Sequence, residues 1–214
     1  MSRIGVISAF NPYNYGMYSV DLAAHHFLGQ LNQAFTPIVT QRRTRVGRLS
    51  FELVRDPALL GAFDTLVYWG DFLNNPMWGA GDYGPREISR HRARDAAQAW
   101  ADWLALYLQA KQRHPHLRVY ALGGCFLGAD DPSLAHARDA LREFVATAEL
   151  VAPRDPRSFE FLRSLAPQGP LIQGMDNAWL LPFDPAPGPA TPGRFVHFFG
   201  RTLRRAPKGF IDDI

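Results

Sequence analysis

The sequence predicts one α/β domain with a Rossmann-like, doubly wound and mostly parallel sheet that has helices on both faces. Apolar runs of strand length alternate along the chain with segments of helical spacing, the order that parallel β–α–β units produce. The strand-like runs are almost continuously apolar, as expected for strands that helices cover on both faces. The 214 residues have a net charge of +3 and are 47% hydrophobic, which excludes disordered and collagen-like classes.

Six strands are predicted from apolar runs that are bounded by turn-forming residues. They are residues 4–9, 37–40, 64–69, 117–122, 149–152 and 170–173. Five helices are predicted between them from apolar residues at helical spacing. They are residues 20–35, 57–63, 86–113, 132–147 and 157–165. Asp56 followed by Pro57 is typical of a cap and a first helical residue.

Two segments interrupt this alternation. Residues 70–85 are rich in Gly and Asn, and we expect a loop whose middle is mobile over the ligand cleft. Residues 182–193 contain five Pro and two Gly, which is a linker composition, so the domain is expected to span residues 1–181. Residues 194–214 hold an apolar strand and a basic tail. We expect them to begin a missing or exchanged second domain and to allow a homo-oligomer.

Composition and charge limit the class of protein. No stretch reaches the roughly 18 apolar residues that a membrane span needs, so we expect no integral membrane segment. Three excess positive charges are too few to indicate nucleic-acid binding, although four arginines fall within residues 42–48. The single cysteine, Cys125, excludes a disulfide framework and a cysteine-rich zinc site, and it suits the cytoplasm. We expect no metal or cofactor.

Small and polar residues recur where the predicted strands end. In an open parallel sheet these ends share the edge at which ligands bind, and carboxylates there can act as acids and bases. The candidate catalytic residues are Asp71, Asp155 and Asp176. The candidate substrate-binding residues are Asn14, Tyr15, Gly16, Asn74, Gly123, Gly124, Arg154 and Ser158. Each turn also has a structural explanation, because Asn, Asp and Ser cap helices and Gly adopts positive φ.

Three of these turns resemble the polysaccharide pyruvyltransferase family. Asn14-Tyr15-Gly16 is similar to the Asn-x-Gly turn that follows the first strand of the family. Arg154-Asp155-Pro156-Arg157-Ser158 is similar to its Arg-Asp-x-x-Ser motif before a helix, and Asp176 is similar to an Asp that follows further along. The order and spacing agree over residues 4–181. Trp69-Gly70-Asp71 stands where the family has three glycines.

The resemblance implies one half of a GT-B-like arrangement, in which two Rossmann-like halves enclose the active site. It implies transfer of a pyruvyl group from phosphoenolpyruvate to a hydroxyl of a sugar or another acceptor. Such a transfer needs an acid, a base and cations for the phosphate and carboxylate. Because relatives use basic residues of a second half, these 214 residues are expected to bind phosphoenolpyruvate weakly.

Two alternatives stay open from the sequence. One is a GT-B-type glycosyltransferase relative that uses a nucleotide sugar. The other is a non-catalytic half-module that binds a glycan or a partner chain. The donor nucleotide of GT-B enzymes usually lies on the C-terminal half, so an N-terminal half does not distinguish a pyruvyltransferase from a glycosyltransferase.

Overall fold

The computed structural model describes residues 3–9, 14–41, 45–46 and 49–182. The first compact unit of the chain ends at Leu181. The predicted C-terminal strand and tail, and all but the first residue of the predicted linker, lie outside the described residues. The predicted contact between copies through residues 194–214 therefore stays a prediction.

Six strands form one sheet in which each neighbouring pair is parallel. They are β1 (Ile4–Ile7), β2 (Thr36–Val39), β5 (Glu52–Leu53), β6 (Thr65–Trp69), β7 (Arg118–Leu122) and β8 (Leu150–Ala152). Their order across the sheet is β5-β2-β1-β6-β7-β8. The chain moves from β1 towards one edge and then returns to the other side of β1. Ligands of open α/β sheets bind at such a reversal point.

The predicted parallel α/β sheet is confirmed, and the differences concern short strands. β3 (Arg45–Val46) and β4 (Leu49–Ser50) form a separate antiparallel pair, which the sequence did not indicate. β5 was also missed, because a strand of two residues is too short to show a period-2 pattern. The predicted strand over residues 170–173 is reduced to one parallel bridge between Val151 and Leu171.

Helices cover both faces of the sheet. The α-helices are α1 (Tyr15–Gln30), α2 (Pro76–Trp78), α3 (Gly84–Ser89), α4 (Ala96–Tyr107), α5 (Ala110–Arg113), α6 (Arg138–Thr147) and α7 (Pro156–Leu165). Three 3-10 helices cover Pro57–Ala62, Pro132–Ala137 and Asn177–Leu180. None of the helices within these described ranges is both long and apolar enough to cross a membrane.

Successive residues of the central strands point into two different cores. Ile7, Leu66 and Tyr68 pack in the core that α4, α6 and α7 cover. Val6 and Val67 pack in the core that α1 and the 3-10 helix after Asp176 cover. Both faces of the sheet are therefore buried, which explains why the strands are almost entirely apolar.

α1 begins at Tyr15 instead of the predicted residue 20, because Asn14 caps it. The Asn14 Oδ1 accepts the backbone N–H of Gly16 at 3.0 Å and that of Met17 at 3.3 Å. These bonds satisfy two of the amides that the first turn of a helix leaves free. The first turn of α1 is therefore fixed by a polar cap rather than by the apolar pattern that predicted the helix.

The region between β6 and β7 departs most from the prediction. Residues 70–85, predicted as a loop, are helical from Pro76 onward, because α2 continues into a π-helical turn over Gly79–Tyr83 and then into α3. The predicted helix over 86–113 is divided into α3, α4 and α5. α4 has its own cap, since the Asp95 side chain accepts the backbone N–H of Gln98.

Aromatic packing explains why this Gly-rich segment is ordered. A Cβ atom on Gly79 would lie 2.5 Å from the Trp103 ring, so only glycine lets the turn pack this closely on α4. The rings of Trp78 and Tyr107 meet edge to face with their centroids 5.3 Å apart. Tyr83 is buried in the same cluster. The segment predicted as a mobile loop is therefore part of the core.

Candidate active site at the carboxyl edge of the sheet

A cavity of about 450 Å³ opens at the carboxyl ends of β1, β2 and β6. Ser8, Thr40 and Asp71 supply polar groups at the strand ends, and Arg86 and Arg90 supply two guanidinium groups. Apolar side chains complete the lining, among them Met17, Phe72 and Trp78. Its volume and mixed lining are those of a site for a small, partly charged molecule.

Two successive residues with positive φ place Asp71 in the wall of this cavity. Gly70 has φ of 75° and Asp71 has φ of 55°, a conformation that is uncommon for a residue other than glycine. A Cβ atom on Gly70 would lie 2.6 Å from the Val20 side chain. The Asp71 carbonyl accepts the backbone N–H of Cys125 at 2.7 Å, which holds the turn. Backbone strain of this kind is concentrated at functional sites.

Asp71 is only 6% exposed. Burial raises its pKa to about 7, while the charge of Arg154 lowers the pKa and that of Asp176 raises it. A carboxyl with this pKa gains and loses a proton near neutral pH. It can therefore act as a general acid, which an ordinary Asp cannot do at that pH.

The candidate residues Arg154 and Asp176 form an ion pair beside Asp71. The Arg154 Nη1 lies 3.2 Å from the Asp176 Oδ2, and the guanidinium lies over the Phe72 ring at 5.3 Å from its centroid. Asp176 also caps the helix that follows it, since its Oδ1 accepts the backbone N–H of Ala178 at 3.0 Å. The structure thus brings Asp71, Arg154 and Asp176 together from the ends of two strands and a later loop.

Asp155 and Ser158 organise the neighbouring turn. The Asp155 Oδ1 accepts the backbone N–H of Ser158 at 2.8 Å and caps α7. The Ser158 hydroxyl donates to the Asp155 Oδ2 at 2.7 Å and accepts the backbone N–H of Phe126 at 2.8 Å. Burial tends to raise the pKa of Asp155, but the Ser158 hydrogen bonds lower it below the usual value. Asp155 is therefore ionised at neutral pH and acts as a cap.

Gly123 and Gly124 shape the turn after β7. Gly123 has φ of 72°, and a Cβ atom there would lie 2.4 Å from the Asn177 Oδ1. The Asn177 Nδ2 donates to the Leu122 carbonyl at 2.9 Å. The Gly124 carbonyl accepts the backbone N–H of Arg154 at 2.9 Å, which ties the end of β7 to the end of β8.

The remaining candidate residues lie apart from the cluster of Asp71, Arg154 and Asp176, or their side chains form hydrogen bonds that stabilise the fold. Asn14 and Gly16 form the exposed cap of α1. Tyr15 is the first residue of that helix, and its side chain lies outside the described part of the chain. Asn74 is 4% exposed, and its Nδ2 donates to the Tyr107 carbonyl at 2.6 Å. Its amide therefore holds α4 instead of facing a ligand.

Sequence reasoning missed most of the cavity lining, Ser8, Arg86 and Arg90 among it, and it also missed the buried Asp21 of α1. Ser8 follows β1 directly, so the rule that strand ends carry the site would have found it. Asp21 interrupts the apolar stripe of α1, and a carboxylate in such a stripe is itself a signal. Arg86 and Arg90 left no signal, because their place in the cavity depends on how α3 packs.

Among the described residues, no group of three or more His, Cys, Asp or Glu side chains could hold a metal ion. Comparison with protein-family models and with curated proteins gives no match to the chain. The case for a function therefore rests on the geometry of the cavity and on the cluster around Asp71.

We expect Ser158→Ala to destabilise the fold by about 1–3 kcal/mol, because it leaves the buried Phe126 amide without its partner. Urea unfolding measures the change. Ser164→Ala, at an exposed position of the same helix where the hydroxyl only bonds the Phe161 carbonyl, is the matched control and should cost much less. Equal losses in the two variants would contradict the organising role of Ser158.

Proposed function

We propose that the protein is a cytoplasmic, pyruvyltransferase-like enzyme that transfers the pyruvyl group of phosphoenolpyruvate to a hydroxyl of a sugar or another acceptor. The observation that carries the proposal is the Asp71 carboxyl, which is buried in a cavity wall and has a pKa of about 7. Arginines in the same cavity and the motif residues around Arg154 support it.

Pyruvyl transfer begins with protonation of the enol carbon, and Asp71 is the group that this cavity offers for it. The Asp71 carboxyl gives its proton to the methylene carbon of phosphoenolpyruvate, and the neighbouring carbon becomes electrophilic. A hydroxyl oxygen of the acceptor then forms a bond to that carbon, and the hydroxyl proton passes to a carboxylate. A second hydroxyl of the acceptor then bonds to the same carbon while the bond from that carbon to the phosphate oxygen breaks. The proton of this hydroxyl leaves with the phosphate, and a pyruvyl ketal remains.

The cations of the cavity suit the two anionic groups of phosphoenolpyruvate. Arg86 and Arg90 lie in the lining, and guanidinium groups bind phosphate and carboxylate through paired N–H donors. Met17, Phe72 and Trp78 provide apolar surface for the face of a sugar ring. Arg154 lies outside this lining, and its charge favours the ionised form of Asp71.

The decisive experiment incubates the chain with phosphoenolpyruvate and a panel of glycosides. Release of phosphate and the appearance of a pyruvyl ketal in the mass spectrum of the glycoside would support the proposal. Glycoside binding without any phosphate release would instead support the non-catalytic glycan-binding module.

One observation favours that module as the second candidate. Both arginines of the cavity already have carboxylate partners, since the Arg86 Nε lies 2.7 Å from the Asp82 Oδ1 and the Arg90 Nη1 lies 3.9 Å from the Glu87 Oε1. Their charges are partly neutralised, which lowers the affinity of the cavity for an anion.

We expect the chain to bind phosphoenolpyruvate with a dissociation constant in the millimolar range, on the order of −4 kcal/mol of binding free energy. Calorimetric titration measures it. Arg86→Ala should weaken phosphoenolpyruvate binding severalfold. Arg142→Ala is the matched control and should leave binding unchanged, because Arg142 forms a similar helical ion pair with Asp139 but does not line the cavity. Micromolar affinity would show that the anion site is already complete, and equal affinities of the two variants would exclude Arg86 from it.

A further inference from the structure

Arg86 and Arg90 line the same cavity, but their neighbours hold them differently. They are four residues apart on one helical segment, and Asp82 precedes Arg86 at the same interval. Residues at this spacing share a helix face, and here that face borders the cavity. The distances from each guanidinium to its neighbours decide which of the two can bind a ligand.

The Arg86 guanidinium has an acceptor for each of its three nitrogen atoms. Its Nε lies 2.7 Å from the Asp82 Oδ1, and its Nη2 donates to the Asp82 Oδ2 at 2.8 Å. Its Nη1 donates to the Gln41 Oε1 at 3.4 Å. The paired contact with Asp82 is the strong, two-point form of an arginine–carboxylate interaction. An anion that approached Arg86 would therefore meet the charge of Asp82 or have to displace it.

Glu87, the carboxylate that pairs with Arg90, is bound more closely by Arg92. The Arg92 Nη1 lies 3.3 Å from the Glu87 Oε1 and 3.5 Å from its Oε2. The same Nη1 donates to the Gln41 carbonyl just beyond β2. Glu87 is 5% exposed, and a carboxylate at that depth needs a cation beside it. Arg92 meets that need, so Arg90 is not required to neutralise Glu87.

Arg90 is therefore able to bind a ligand without leaving a buried charge unpaired. Its Nη1 lies 3.9 Å from the Glu87 Oε1, which is beyond hydrogen-bond distance. Among the residues that the structure describes, this guanidinium donates no hydrogen bond, and its side chain is 33% exposed. A guanidinium has five N–H donors, and two of them can bind one oxyanion side by side.

The charges at this end of the cavity are also unequal. The Gln41 carbonyl accepts a second hydrogen bond, from the Arg55 Nη2 at 3.1 Å. The contacts around Gln41 and α3 thus join four arginines to two carboxylates. They are Arg55, Arg86, Arg90 and Arg92, with Asp82 and Glu87. The excess of positive charge raises the local concentration of anions.

We propose that Arg90 binds the oxyanion of the ligand, a phosphate or a carboxylate group, and that Asp82 withholds Arg86 from it. Arg90 is then the residue that determines the preference of the cavity for an anionic donor, and Asp82 limits the affinity. The inference rests on the proposed function for the identity of the donor, phosphoenolpyruvate, but not for the binding of an oxyanion.

The first test follows the Nε–Hε resonances of the full chain, labelled with ¹⁵N at its arginines, during titration with inorganic phosphate and, separately, with pyruvate. Arg90→Lys and Arg86→Lys identify the two resonances. We expect a saturable shift of the Arg90 resonance and a smaller shift of Arg86. The anion that shifts Arg90 more strongly identifies the group that it binds. A larger shift at Arg86, or no shift of Arg90 with either anion, would overturn the inference.

The second test compares variants by calorimetric titration with phosphoenolpyruvate. Arg90→Ala should raise the dissociation constant at least tenfold, more than Arg86→Ala does. Arg90→Lys should recover part of the loss, because it keeps the charge but not the paired donors. Asp82→Asn should lower the dissociation constant at least threefold, since it releases Arg86.

Arg142→Ala is again the control and should bind as the wild type does. Circular dichroism verifies that each variant is folded, and Arg90→Lys replaces Arg90→Ala if the alanine variant does not fold. An Arg90 variant with the affinity of the wild type, or an Asp82→Asn variant that binds no more tightly, would overturn the inference.

Transfer assays separate this inference from the proposed function. With phosphoenolpyruvate and a glycoside, Arg90→Ala should raise KM for phosphoenolpyruvate at least tenfold and leave KM for the glycoside almost unchanged. If the variant keeps the KM of the wild type, the role of Arg90 is overturned while the proposed function stands. If the wild type releases no phosphate, the proposed function fails, but a saturable shift of the Arg90 resonance still supports the oxyanion site.

Discussion

Asp71→Asn is expected to lower pyruvyl transfer by about 10²–10⁴-fold, the usual contribution of a general acid. An amide of the same shape fills the same space but has no proton to give to the enol carbon. The measurement is phosphate release from phosphoenolpyruvate at saturating acceptor. Asp139→Asn, which changes an exposed carboxylate, is the matched control and should retain full activity.

The same substitution should make the protein more stable at pH 8. The pKa of Asp71 is raised from 3.8 to about 7 in the folded state, so between these values the folded protein binds more protons than the unfolded chain. The stabilisation from this group is complete below pH 3.8 and is lost as the pH rises towards 7. Above that pH the wild type buries a charge that Asn avoids, a gain on the order of 2–4 kcal/mol.

Urea unfolding of the wild type and of Asp71→Asn at pH 5 and at pH 8 measures this gain. The difference between the two proteins should be larger at pH 8, and Asp139→Asn should show no comparable change. If Asp71→Asn were less stable than the wild type at pH 8, the buried Asp71 carboxylate would not destabilise the folded protein, and the prediction would be wrong. Lost activity together with increased stability would mark Asp71 as a residue retained for function.

Gly123→Ala is expected to destabilise the fold by about 2–4 kcal/mol, through strain at positive φ and a clash with the Asn177 side chain. The added Cβ would lie 2.4 Å from the Asn177 Oδ1, so Asn177 must give up its bond to the Leu122 carbonyl. Because Asn177 follows Asp176 directly, its displacement should also disturb the Arg154–Asp176 ion pair and weaken phosphoenolpyruvate binding.

Thermal and urea unfolding, followed by calorimetry with phosphoenolpyruvate, test this prediction. Gly81→Ala is the control, because a Cβ atom there meets nothing within 4 Å and the residue does not have positive φ. It should leave stability within about 0.5 kcal/mol of the wild type, as most surface substitutions do. A Gly123→Ala variant as stable as Gly81→Ala would contradict the packing described for the turn after β7.

The central sheet could be predicted because its signals are local. The apolar runs at residues 4–9, 64–69 and 117–122 each contain the information that makes them buried strands, and their parallel order follows from the helices between them. The cap at Asp155 was also readable, since Asp before Pro and a helical stripe is a local pattern.

The segment between β6 and β7 could not be predicted in this way. Its glycines are typical of a loop, yet Gly79 is there to let the chain approach Trp103, which lies on another helix. Local composition does not predict such a contact, and tertiary packing overrides the local preference of the glycines for a loop. The same packing places Arg86 and Arg90 in the cavity lining, which the sequence pattern did not indicate.

The sequence by itself determined which residues stand at the carboxyl edge of the sheet, and Asp71 and Arg154 are among them. Only the tertiary structure decided what these residues can do. Asp155 accepts two hydrogen bonds from Ser158 and stays ionised, whereas Asp71 and Asp21 are buried with too few partners and hold their protons near neutral pH. The reason is that the local sequence pattern determines whether a residue follows a strand. The pKa of a carboxyl instead depends on its exposure to solvent and on the charges and hydrogen-bond donors that distant parts of the chain bring to it.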